Sequence, residues 1–111
     1  MAPLLNRGIR LFNEHDFFEC HEVLEAEWTP EQGPRRLFLQ ALIHLAVGFY
    51  HHQQDNADGR DRQLDKGLKK LAGYLPVYEG LDTGSLYAAA SEWRERGGEF
   101  PRIASVTGSQ T

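Results

Sequence analysis

The chain has 111 residues, 41% of them hydrophobic, and carries a formal net charge of −4, with 16 acidic against 12 basic side chains. That length suits one domain able to bury roughly two thirds of its unfolded surface without a staple. Its acidic balance argues against general attraction to a phosphate backbone, so nucleic acid is an unlikely partner. The single cysteine, Cys20, excludes an internal disulfide and fits a reducing compartment. The opening residues, Met1 to Arg7, lack the apolar core and cleavage site of a secretory signal, so a cytoplasmic location is expected.

Five helical segments follow in order, and no run shows the period-two alternation of a half-buried strand. The first starts near Pro3 and runs through Ile9 and Phe12 until Asn13 to His15 break it. The second opens at Asp16, read as a capping box with Glu19, and stops at Thr29-Pro30, because the residue before a proline is pushed out of the helical region. The third spans Pro34 to about Gln54 and is apolar all round from Leu37 to Tyr50, as expected of a helix at the centre of a bundle. That run is too short to span a bilayer, which needs roughly 20 residues. The fourth carries Leu64, Leu68, Leu71 and Leu75 and ends at Pro76; the fifth, about Ser85 to Arg96, turns Leu86, Ala90 and Trp93 inward and stops at Gly97-Gly98. The expected fold is an all-α, single-domain antiparallel bundle over residues 1–104, with Phe100 to Ile103 folding back on it and a disordered tail over 105–111.

Two of these helices carry polar residues inside apolar stripes. At about 100° per residue, His21, Glu25 and Trp28 share a face with Phe17 and Leu24, and Gln40, His44, Gly48 and His51 share a face of the central helix. Buried imidazole and carboxyl groups need a partner, a network or a metal ion. Consecutive helices with a short connection pack together, so the two polar faces are expected to meet, with Gly48 allowing close approach. The resulting set of imidazoles, carboxylate and amide suits zinc, manganese or ferrous iron better than calcium or magnesium. His21, Glu25, His44 and His51 are then the metal ligands, Gln40, Trp28 and Gly48 the pocket, and Glu22 the base of a metal-dependent hydrolase, as in His-Glu-x-x-His proteases.

The alternative stays open: a structural His/Glu network in a non-enzymatic helical module that binds another protein or a second copy of itself. His15 and His52 read as surface residues, Cys20 as an inert buried thiol, and the basic face of Arg62, Lys66, Lys69 and Lys70 as a solvated face or a contact for an acidic surface.

The pattern His21, three residues, Glu25, two residues, Trp28 resembles the bacterial and archaeal family catalogued as domain of unknown function 309. So do its surroundings Phe17 to Glu25, the central Phe38 to Ala46 with Tyr50-His51, and Lys66-Gly67-Leu68. The resemblance covers roughly residues 5 to 75 and implies a small all-helical domain with metal binding through that motif. Many relatives carry glutamine at the place of His44, which makes it an optional ligand by this resemblance.

Overall fold

The computed structural model of the protein describes residues 3–106. Five α-helices follow one another: α1 (Pro3–Asn13), α2 (Phe17–Trp28), α3 (Arg35–Gln53), α4 (Ala57–Leu71) and α5 (Thr83–Arg96), with a single 3-10 turn, Ala72–Tyr74, after α4. Among the described residues there is no extended strand, only isolated bridges pairing Leu81 with Tyr78 and with Ser105. No described helix is long and apolar enough to cross a membrane.

Two of the turns share one backbone solution. After α1 the amide of Asp16 donates to Leu11 O and that of His15 to Phe12 O; after α3, Asn56 donates to His51 O and Asp55 to His52 O. Both are Schellman closures, and both place a non-glycine residue in the left-handed region, His15 at φ 67° and Asp55 at φ 59°. The amide of Asp16 is therefore spent on closing α1. Its side chain caps nothing in α2, and Glu19, expected to complete a capping box, instead pairs with Arg7 at 3.1 Å. Asn56 does cap α4, accepting from Gly59 N at 3.0 Å, and Asp82 caps α5 through Ser85.

The core runs along α3, from Phe38 to Phe49, and is completed by Leu5, Phe12, Phe17, Leu24, Leu64, Leu71, Leu86 and Trp93. Leu37, expected inside, is 51% exposed, while the next residue, Phe38, is fully buried against Tyr74 and Tyr78, so the first turn of α3 keeps one side open to water. α2 lies antiparallel to α3, with Phe18 against Tyr50 at one end and Arg36 over the Trp28 ring at the other. α4 lies against another side of α3 and comes close because Gly48 and Gly67 leave room. A Cβ at Gly48 would stand 2.7 Å from Leu64 Cδ2, and one at Gly67 2.9 Å from Leu45 Cδ2. Gly48 thus admits α4, not α2 as the sequence suggests.

Leu75, expected on the inner face of the fourth helix, lies beyond the 3-10 turn in extended conformation, as the residue before Pro76 must, and is exposed. The segment after α5 does return. Phe100 packs on Phe17, Phe49 and Trp93, and Asn13 clasps Ile103, donating to its carbonyl at 2.9 Å and accepting from its amide at 2.8 Å. Of the expected tail, Ser105 forms a bridge and Val106 N donates to Gly80 O, while residues 107–111 lie outside the described residues.

Candidate functional site

Three helices wall a cleft of about 230 Å³: α2 contributes His21, Glu25 and Trp28, α3 contributes Gln40, Ile43, His44 and Val47, and α4 contributes Gln63. Helical spacing builds each wall, since residues three and four apart stack on one side of a helix. Ile43 and Val47 form an apolar floor between the polar groups.

Both imidazoles are oriented in the same manner. His21 Nδ1 lies 2.9 Å from Phe18 O, one turn back on its own helix. A carbonyl can only accept, so Nδ1 is the donating nitrogen and Nε2 is the one left for other partners. His44 Nδ1 lies 2.7 Å from Gln63 Oε1, which fixes the same tautomer. Burial holds the His44 imidazole below its ordinary value; the Gln63 hydrogen bond opposes this and the nearby charges of Lys70 and Lys66 reinforce it. His44 is therefore neutral near pH 7 and offers an unprotonated Nε2. His21 Nε2 stands 3.7 Å from Glu25 Oε2, a loose i, i+4 pair in which the Glu25 side chain is 50% exposed. Glu25 sits at the rim instead of inside. Trp28 keeps its ring under the Arg36 guanidinium at 4.1 Å, and among the described residues its buried Nε1 has no hydrogen-bond partner.

The expected set is thus divided. His21, Glu25, Trp28, Gln40 and His44 converge; His51 and Gly48 do not line the cleft. One turn beyond Gly48, His51 is placed against the α3–α4 turn, with Nδ1 3.4 Å from Asn56 Nδ2 and its ring beside Gly59. Glu22 is exposed and outside the lining, so no base stands where the hydrolase reading put one. Among the described residues no group of three His, Cys, Asp or Glu side chains is arranged to hold a metal ion. A three-ligand zinc centre does not fit these positions.

Cys20, as expected, is inert. It is fully buried, donates to Gly8 O at 3.2 Å, and burial pushes its thiol up to about 12. His52 is exposed yet packs edge-on against Trp93, and His15 stacks on Phe17.

Sequence reasoning missed Gln63. It lies in a strongly charged helix whose hydrophobic pattern is sparse, and the available signal was Gly67, one turn on, marking the side of α4 that approaches α3.

Residues 5–62 match the family model described as "Domain of unknown function (DUF309)", a stretch that takes in every cleft residue except Gln63. Over 74 residues the chain is 36% identical to "Uncharacterized protein YpuF" of Bacillus subtilis (strain 168), which covers 64% of this chain and 42% of that protein. The matched region therefore spans less than half the length of this relative.

Proposed function

The chain belongs to the family Domain of unknown function (DUF309), and from that premise we propose that its functional site is the α2–α3–α4 cleft, which binds a small polar ligand. One observation carries the reading. Two imidazoles on different helices are each tied at Nδ1 to an oxygen acceptor, which leaves the Nε2 of each for partners in a shared cleft. Gln40 adds an uncommitted amide and Trp28 an aromatic wall. Ligand sites are typically concave and largely apolar with a few convergent polar groups, and at about 230 Å³ this one lies below the roughly 300–1,000 Å³ common for drug-sized ligands, which suits a small metabolite.

A screen of small polar fragments read by NMR tests this. Hits are expected to move the Trp28 indole and the His21 and His44 ring resonances while leaving those of His15 and His52 in place. Hits that move none of the cleft signals, or a cleft blind to every fragment, favour the architectural network and overturn the binding reading.

A second reading, a divalent ion, is favoured by the His21–Glu25 pair, two potential ligands at i, i+4 with Nε2 and Oε2 on one side. Zinc or manganese would have these two protein side chains and complete its coordination with water. Titration with zinc should then raise the melting temperature and shift His21 Nε2, and a chelator should reverse both. An unchanged melt and spectrum eliminate it. With Glu22 outside the cleft, no hydrolytic step is assigned.

A further inference from the structure

All three lysines of the chain, Lys66, Lys69 and Lys70, lie in the second half of α4, and none takes part in an ion pair among the described residues. The acids of the same helix are turned the other way. Asp61 pairs with Arg60 and Arg94, and Asp65 pairs with Arg94 of α5. A helix C-terminus favours cations in its last turn, which accounts for Lys69 and Lys70 but not for Lys66.

Register gives a different account of Lys66 and Lys70. With Gln63 they occupy positions i, i+3 and i+7, one side of α4, and Gln63 is the residue through which α4 enters the cleft. That side of α4 meets the His44 ring through Gln63, whose Oε1 lies 2.7 Å from Nδ1. The antiparallel packing brings this half of α4 toward the first half of α3, where Arg36 covers Trp28. Among the described residues Arg36 likewise has no carboxylate partner, its side chain donating to the carbonyls of Glu31 and Trp28. In a chain whose net charge is −4, Lys66 and Lys70 thus stand just outside the lining on the Gln63 side of α4 and Arg36 stands over Trp28, while Glu25 stands with His21 on the α2 wall.

Resting on the cleft reading above, we propose that the ligand is a small organic anion, a carboxylate or a phosphate monoester, whose charged group sits against Lys66 and Lys70 at the α4 lip. Its remaining body lies on the Ile43–Val47 floor beside Trp28, where a polar group on it meets Nε2 of His21. An anionic group there also favours protonation of His44, which would then donate to it.

The test holds the ligand body constant and varies its charge. Benzoate, phenyl phosphate, benzyl alcohol and benzylammonium are titrated into the full chain while the Trp28 indole and the His44 ring are followed by NMR. One or both anions are expected to bind saturably and more tightly than the alcohol and the amine, with affinity falling as salt rises. The comparison of benzoate with phenyl phosphate decides between carboxylate and phosphate. Lys66→Gln, at an exposed position, and Lys70→Gln, at a half-buried one, should each weaken the preferred anion several-fold and leave benzyl alcohol unchanged. Benzylammonium binding the cleft as tightly as the anions, or anion affinity indifferent to both substitutions, overturns the anion inference while the cleft remains a binding site. If none of the four probes moves a cleft resonance, both readings fall.

Discussion

His44 shows how one side chain couples the site to stability. Burial keeps its imidazole neutral to lower pH than in the unfolded chain, where the ordinary value near 6.5 applies. The unfolded state therefore takes up a proton first as pH falls, so the contribution of this group to stability is complete above about pH 6.5 and is lost on acidification below it. Melting temperature measured from pH 7.5 to 5 should drop more steeply for the wild type than for His44→Gln, which keeps a polar group opposite Gln63 but cannot titrate. Subtracting the two curves removes the effect of His15, His21, His51 and His52, which both proteins share. Parallel curves would mean that His44 is as easily protonated folded as unfolded, contrary to the burial that orients it. Glu25 illustrates the opposite case. Its register put it on an apolar stripe, yet the stripe runs past the edge of the α2–α3 contact there, and the side chain reaches water.

At the scale of elements, the decisive contact is the close approach of α4 to α3. An alanine at position 48 would place its Cβ 2.7 Å and 2.9 Å from two atoms of the fully buried Leu64 and 3.3 Å from Arg60 O, which cannot yield without moving α4. Overpacking of this kind costs about 1–3 kcal/mol. The gain in helix propensity returns up to about 1 kcal/mol, so Gly48→Ala should destabilise by about 1–2 kcal/mol in chemical denaturation. Gly73→Ala, whose Cβ meets nothing within 4 Å, should be neutral and serves as the control. The same contact marks the boundary of what the sequence makes legible. Helix number and type follow from Pro, Gly and Asn punctuation and from apolar spacing, and the structure has them within about two residues for most ends. Which helix covers which side of α3 does not follow, because α3 is apolar nearly all round and offers no single face to match. Hence register alone gives Gly48 the wrong neighbour, draws His51 into the site beside His44, and leaves Gln63 unmarked. A stripe on a helix extends along its whole length, but a cleft occupies only two turns of it.

For the whole molecule, the end of the bundle away from the cleft is closed by the segment following α5. Phe100 lies 4.9 Å from Phe17, 5.3 Å from Phe49 and 5.7 Å from Trp93 between ring centroids, so one side chain joins α2, α3 and α5. The Asn13 clasp on Ile103 fixes the register of this strap with the geometry of a backbone pair supplied by a side chain. None of these residues lines the cleft. The stability this strap supplies is consequently separable from the site. Truncating a buried Phe to Ala costs about 3–5 kcal/mol, and Phe100 is only partly covered, so Phe100→Ala should lose about 2–3 kcal/mol in denaturant unfolding. Below its melting temperature the variant should retain the neutral His44 tautomer and the same fragment response at Trp28. A fall in stability accompanied by loss of the cleft signals would show instead that the aromatic cluster positions α3 for binding, coupling the two ends of the bundle through that helix.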